Sequence, residues 1–247
     1  MASPPPASDG NTLLDNVTKD TPRFSGMGGV LSGKMPKRPR IAVLASGRGT
    51  DFQAIVDSNL RGDVDLDIAL LICNVPDAFV IQRAKKHGIP NFLIDHRGKS
   101  REKFDAEVNS VLEENAIDLL VLAGFMRILS SWFVSRWRDR IINIHPSLLP
   151  SFPGAHAHAE VLEYGVKVTG LTIHFVDEDV DHGPIIFQHP VEVLDDDDEG
   201  SLSQRVLEQE HIWYPRVIQW IADGRVTRKG RKVIVRKEVG DPSGVDD

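Results

Sequence analysis

Asn143 and His145 stand two residues apart in the apolar run Ile141-Ile142-Asn143-Ile144-His145, which passes directly into Pro146-Ser147-Leu148-Leu149-Pro150. Side chains alternate faces along a strand, so the two polar groups project together from its C-terminal end. Asparagine supplies neutral N–H donors, and histidine exchanges a proton near neutral pH. In parallel α/β sheets, ligands collect just outside the carboxyl ends of the strands. An Asn/His pair placed there suits acyl transfer, with the amide holding a developing oxyanion and the imidazole assisting it or moving a proton. The alternative is a pair of satisfied polar groups that cap a strand end.

A second chemical signal follows the first apolar run. Ser46-Gly47-Arg48-Gly49-Thr50-Asp51 links Ile41–Ala45 to a segment of helical spacing. A glycine-rich turn at a helix start presents backbone N–H groups and the positive end of the helix dipole, which together bind anions, usually phosphate. The pattern matches neither the dinucleotide fingerprint nor the Walker lysine loop, so the expected ligand is a lone phosphate rather than NAD or ATP. Thr50 with Gln53 also fits a capping box, a purely structural reading. Asp51 is awkward, because a first-turn carboxylate favours the helix dipole but repels a nearby phosphate.

The third signal is the turn-rich run Asp177-Glu178-Asp179-Val180-Asp181-His182-Gly183-Pro184. A carboxylate from it, set beside His145, would favour the protonated imidazole. Otherwise the run is a solvated acidic loop, the reading also given to Asp195–Glu199. His156 and His158, with His145 and His174 in the vicinity, raise a metal site. No His-Glu-x-x-His motif or cysteine pair accompanies them, so no metal is expected. Trp213, Tyr214 and Trp220 are expected to pack in the core.

The elements that must position these groups are regular from Arg40 onward. Strand-length apolar runs at Ile41–Ala45, Ile68–Cys73, Asn91–Ile94, Leu119–Ala123 and Ile141–His145 alternate with helical spacing at Phe52–Asn59, Ala78–His87, Arg101–Asn115 and Ser131–Trp137. Such alternation predicts an α/β fold, a mainly parallel sheet covered by helices. Two longer strands, Val168–Phe175 and Ile185–Val191, flank the acidic turn. A long helix over Leu202–Ala222 follows, with Ser201 and Gln204 as its capping box and Gly224 as its stop. Val226–Arg228 and Lys232–Arg236 around Gly230 suggest a terminal hairpin. No internal repeat is visible.

Bulk properties narrow the class. The chain has 247 residues, 41% hydrophobic and 26% charged, as in ordinary globular proteins. Its formal net charge of −7 argues against a nucleic-acid partner. No apolar run approaches the roughly 20 residues that span a bilayer, so no membrane partner is expected. The single cysteine, Cys73, allows no internal disulfide and reads as a buried thiol in a reducing compartment. Residues 1–38 carry Pro4-Pro5-Pro6 and scattered Gly, Ser and Asp without apolar period, and are expected to be a disordered tail. They lack a secretory core, and Asp9, Asp15 and Asp20 fit a transit peptide poorly, so the expected location is cytoplasmic. Met35 offers an alternative start. The expected organisation is one domain over 39–239 and a frayed tail over 240–247.

In order along the chain stand Ser46-Gly47-x-Gly49-Thr50, Leu122-Ala123-Gly124-Phe125-Met126-Arg127-Ile128-Leu129, Asn143-Ile144-His145-Pro146-Ser147-Leu148-Leu149-Pro150, Pro153-Gly154, His174-Phe175-Val176 and Asp181-x-Gly183-Pro184. Together they resemble the phosphoribosylglycinamide formyltransferases, a folate-dependent family of purine synthesis, over roughly Arg40 to Arg236. The resemblance implies a Rossmann-like sheet and formyl transfer from 10-formyltetrahydrofolate, as co-substrate, to the amine of glycinamide ribonucleotide, without a metal. It implies small-molecule partners only and a monomer or homodimer. Asn143, His145 and Asp181 match the family's catalytic trio. Gly49, Thr50, Asp51 and Glu210 match its ribonucleotide site. Arg101, Met126, Arg127, Ile128, Leu129, Asn143, Asp177, Glu178, Asp179, Val180 and Asp181 match folate-side positions. The sequence departs from the family pattern at Asp51, usually Asn, and at His182, often a small residue. The rivals are a formyltetrahydrofolate hydrolase, expected to carry a further N-terminal domain, and a methionyl-tRNA formyltransferase, expected to carry a further C-terminal domain and a basic surface. A non-catalytic folate- or nucleotide-binding module is the rival from another class.

Overall fold

The computed structural model describes residues 38–236. The expected tails therefore lie outside the described residues, apart from Arg38. Its guanidinium pairs with Asp65 at 3.0 Å and donates to the Leu66 carbonyl.

Among the described residues, nine strands and six helices follow one another as β1 (Arg40–Ala45), α1 (Thr50–Arg61), β2 (Asp67–Cys73), α2 (Phe79–Lys86), β3 (Asn91–Leu93), α3 (Arg101–Glu114), β4 (Leu119–Leu122), α4 (Ser131–Arg136), β5 (Ile141–His145), α5 (Ala157–Tyr164), β6 (Val168–Phe175), β7 (Ile185–Glu192), α6 (Glu199–Ala222), β8 (Val226–Lys229) and β9 (Lys232–Val235). The main sheet runs β3-β2-β1-β4-β5-β6-β7. Strands β1 to β5 pair in parallel, while β6 and β7 add as antiparallel neighbours. The predicted mainly parallel α/β sheet is thus the observed one.

Burial follows the pleat. Ile41, Val43 and Ala45 enter one core with Leu71, Cys73, Leu119 and Val121. Their alternates Ala42, Leu44, Leu70, Ile72, Leu120 and Leu122 enter the other. Helices α1, α2, α5 and α6 cover the first face, and α3 and α4 the second. Two-sided burial is why these strands read as continuous apolar runs. Strand order reverses at β1, whose neighbours are β2 and β4, so the crevice beyond the C-terminal ends of β1 and β4 is the switch point where α/β sheets take ligands. Two hydrogen bonds stitch it: Ser46 N–H to the Gly124 carbonyl at 3.0 Å, and Met126 N–H to Ser46 Oγ at 2.8 Å.

Three local readings need correction, and one helix is not read from the sequence. Helix α1 starts one residue before the expected box could form: Gly49, in the left-handed region at φ 67°, is the N-cap and no side chain caps it. Gln53 is instead engaged by Arg83, Asp57 and His87. Helix α6 starts earlier than predicted, at Glu199, because Asp198 and Ser201 form the reciprocal capping box. The run Asp195–Glu199 is not simply solvated, since Asp197 takes a bidentate ion pair from Arg205 at 2.7 Å and its carboxyl is held well below the usual range. Helix α5 leaves no readable period, because it buries only Ala157 and Val161.

Candidate active site

Strand β5 delivers Asn143 and His145 to the C-terminal edge of the sheet, as their spacing requires. Both line a cavity of about 510 Å³, with Leu122, Gly124 to Leu129 and Val176 to Asp181 among its walls. This lies within the roughly 300–1,000 Å³ typical of small-molecule sites.

Across the ladder, Asn143 is paired with His174 of β6. The His174 Nδ1 lies 2.8 Å from the Phe175 carbonyl, which only accepts, so Nδ1 carries the hydrogen. Burial holds the His174 pKa below its ordinary value and keeps the ring neutral, which leaves Nε2 as an acceptor. Asn143 Nδ2 donates to it at 3.3 Å. The histidine thus fixes which way the amide faces.

His145 is buried, and its Nε2 donates to the Phe152 carbonyl at 2.8 Å. Its Nδ1 faces Asp181 Oδ2 at 3.4 Å. The Nδ1 edge therefore lies at ion-pair distance from a carboxylate, while Nε2 is committed to a backbone carbonyl. The Nδ1 edge is the one available for proton exchange, because the other edge is committed to backbone.

Asp181 reaches this position through a strained turn. Its φ of 51° is in the left-handed region, which non-glycine residues rarely occupy. The neighbouring Gly183 lies so close to β6 that a Cβ there would sit 1.7 Å from the Phe175 carbonyl oxygen. Gly154 N–H donates to Asp181 Oδ2 at 2.8 Å, which fixes the carboxylate from the opposite loop. Next to it, exposed His182 pairs with Asp177 at 3.0 Å and accepts the Arg231 guanidinium on its carbonyl at 2.6 Å. The acidic run is therefore a built loop.

The remaining cavity wall is largely apolar and open. Met126 is 72% exposed and Ile128 52%, so an apolar surface stands uncovered beside the polar trio. Arg127 stacks over Phe104 at 4.7 Å. Of the positions expected on this side, Met126 to Leu129 and Asp177 to Asp181 line the cavity, while Arg101, exposed at the start of α3, does not.

Gly49, Thr50, Asp51 and Glu210 form a separate group beyond β1 and outside the cavity wall. Helix α2 shapes the glycine loop: Val80 N–H donates to the Gly47 carbonyl at 3.1 Å and Arg83 Nε to the Arg48 carbonyl at 2.8 Å. A Cβ on Gly49 would meet Val80 Cγ2 at 2.3 Å. These carbonyls turn toward α2, and the first N–H groups of α1 have no intrahelical carbonyl to pair with. Asp51 and Glu210 are both buried. Burial raises the Asp51 carboxyl to about 6. Burial and the nearby Asp51 push Glu210 well above its usual range. Tyr214, one turn beyond Glu210, donates to the Leu122 carbonyl at 2.7 Å and ties α6 to the end of β4.

Sequence reasoning missed His174 as the group that orients Asn143, and His211, which stands 3.8 Å from Asp51. The period-two register around β6 carried a trace of the first. The second depends on how α6 crosses α1, which no local pattern encodes. His156 is the N-cap residue of α5 and His158 lies in its first turn, and among the described residues no group of three His, Cys, Asp or Glu side chains could hold a metal.

The chain is 47% identical over 191 residues to a trifunctional purine biosynthetic protein adenosine-3 of Drosophila melanogaster, covering 76% of this chain and 14% of that one. It thus spans about a seventh of that relative. It is 44% identical over 187 residues to phosphoribosylglycinamide formyltransferase of Escherichia coli, covering 75% of this chain and 88% of the relative. Among solved structures, glycinamide ribonucleotide transformylase 1 of Symbiobacterium toebii superposes with a TM-score of 0.79 at 42% identity, covering 81% of this chain and 95% of that one. A family profile described as formyl transferase matches residues 39–218, a span that contains the sheet edge, the cavity and the glycine loop. The chain belongs to the formyl transferase family.

Proposed function

We propose that this protein transfers a formyl group from 10-formyltetrahydrofolate to the amine of glycinamide ribonucleotide. The observation that carries this reading is the constellation at the end of β5: an oriented amide on Asn143 and an imidazole edge on His145 backed by Asp181, all on one cavity. Family membership and 44% identity to a phosphoribosylglycinamide formyltransferase support it.

The folate lies along the apolar wall of Met126 to Leu129 and the loop Asp177 to Asp181, with Arg101 a candidate for its outer, charged end. The ribonucleotide phosphate takes the N–H groups of Gly49, Thr50 and Asp51, and Glu210 accepts from its hydroxyl or amide groups. The amine then attacks the formyl carbon. A C–N bond forms, the carbonyl π pair moves to oxygen, and Asn143 donates to the resulting oxyanion. His145 donates from its Nδ1 edge, its positive charge stabilised by Asp181. One preorganised donor of this kind contributes about 10²–10³ in turnover. Collapse of the intermediate breaks the bond to the folate nitrogen. The proton lost by the new ammonium goes to that nitrogen, relayed by Asp181 directly or through water. The chain's own groups are sufficient without a metal or a covalent enzyme intermediate.

A hydrolase would use the same trio on water. One assay separates them: with both substrates present, a transferase forms formylglycinamide ribonucleotide, and a hydrolase releases formate. We place the catalytic unit at residues 39–239 as a monomer or homodimer acting in the cytoplasm. Among the described residues no helix is long and apolar enough to cross a membrane.

A further inference from the structure

Asp51 puts a carboxylate in the first turn of α1, where the proposed phosphate site is built from backbone N–H groups. The residue is nine-tenths buried, and Oδ1 has no hydrogen-bond partner. Leaving a buried acceptor unpaired is costly, so a partner is expected in the working state. The donor that faces it is His211 Nε2 on α6, 3.8 Å from Oδ1 and itself a buried atom without a partner. Two orphaned complementary atoms face each other across a gap about 0.8 Å longer than an ordinary N–H···O bond.

The surroundings fix the direction of the effect. On α6, Glu210 stands beside Asp51 as a second buried acid, and Tyr214 faces both. On α2, Arg83 faces His211, while Asp57 of α1 and Glu208 of α6 face it with the opposite charge. Burial and Arg83 hold the free imidazole below its ordinary pKa. Ionised Asp51 and an incoming phosphate place negative charge in this corner, while Glu210, its carboxyl pushed up by burial and by Asp51, favours the neutral acid. Among the described residues, His211 is the imidazole that stands within ion-pair reach of Asp51.

We propose that His211 is a positioning residue for the ribonucleotide: it pairs with Asp51 as the phosphate docks, and so lets an acid occupy the phosphate loop. Closing the gap turns the Asp51 carboxylate toward α6 and away from the anion. The phosphate's own field favours a proton on the imidazole, so docking and pairing reinforce one another. The inference rests on the reading of Gly49 to Asp51 as a phosphate loop. It assigns His211 no part in the chemical step.

The test is a double-mutant cycle on the full chain with His211→Asn, Asp51→Asn and the double variant. KM for the ribonucleotide, KM for the folate and kcat are measured for each. His211→Asn is expected to raise the ribonucleotide KM about tenfold, the loss of one charge-assisted contact, with kcat and the folate KM within about twofold. Adding Asp51→Asn to it should bring the ribonucleotide KM back to within about threefold of the unsubstituted protein. An equal rise in both backgrounds, or none in either, overturns the proposal. Melting temperatures of all variants show whether a loss is one of folding, and rescue by Asp51→Asn keeps the test decisive where His211→Asn alone is poorly folded. The parent reading is tested apart, with the dephosphorylated ribonucleoside. If it binds the unsubstituted protein as well as the ribonucleotide does, the phosphate loop fails. If the ribonucleotide binds far better and the cycle still shows no coupling, only the role of His211 fails.

Discussion

Replacing Asp51 by Asn should stabilise the folded protein at neutral pH and leave it nearly unchanged in acid. The Asp51 carboxyl is raised by burial from 3.8 to about 6. Between those values the unfolded chain loses this proton while the folded chain keeps it. The folded state then binds more protons, so stability falls as pH rises through that window. A rise of this size corresponds to about 3 kcal/mol, lost in full above about pH 7. Asn preserves the shape, removes the ionisation, and lowers the repulsion that Asp51 imposes on Glu210. Urea unfolding of both proteins at pH 4 and pH 8 reads the effect. The variant should match the unsubstituted chain within about 1 kcal/mol at pH 4 and exceed it by up to about 3 kcal/mol at pH 8. For a domain of this size that gain is about 6–12 °C in melting temperature. A difference independent of pH, or an Asn variant less stable at pH 8, would refute the claim that Asp51 is a buried acid held against its ionisation.

Two further outcomes follow from the site geometry. His145→Ala and Asp181→Asn should each lower kcat by about 10² or more with melting temperature little changed, and the double variant should be less than additive because the pair acts as a unit; additive losses in kcat would separate the two roles. Gly49→Ala should raise the ribonucleotide KM and lower stability by about 1–3 kcal/mol, through its positive φ and the close approach of Val80, with calorimetry and steady-state kinetics as the readouts; normal ribonucleotide binding in a folded variant would remove the loop from the site.

Much of the scaffold is legible in the sequence because two-sided burial writes itself there. Ile41–Ala45 and Leu119–Leu122 are fully apolar, and β2 is apolar after its first residue, for that reason. The Asn143/His145 pair is legible because two polar groups at period two have no place in such a strand unless its end is used. Capping is harder to read at α1 and α6, since several polar residues compete near a helix start and the winner depends on where the chain leaves the preceding loop. Glu210, among apolar positions of a long helix, reads as facing solvent or ligand. It is buried against Asp51, a relation set by the crossing of α6 over α1. His182, a departure from the family pattern, is an exposed contact for Arg231 of the β8–β9 turn, and its link to that hairpin spans a sequence distance no local pattern reaches.

The central claim is that the cavity at the end of β5 moves a formyl group to an amine rather than to water. The most direct measurement supplies 10-formyltetrahydrofolate labelled in its formyl carbon, with and without glycinamide ribonucleotide, and follows the label. Label is expected in formylglycinamide ribonucleotide in proportion to folate consumed, with little free formate when the amine is absent and loss of transfer on Asn143→Ala. Release of labelled formate at the same rate with or without the amine would contradict it.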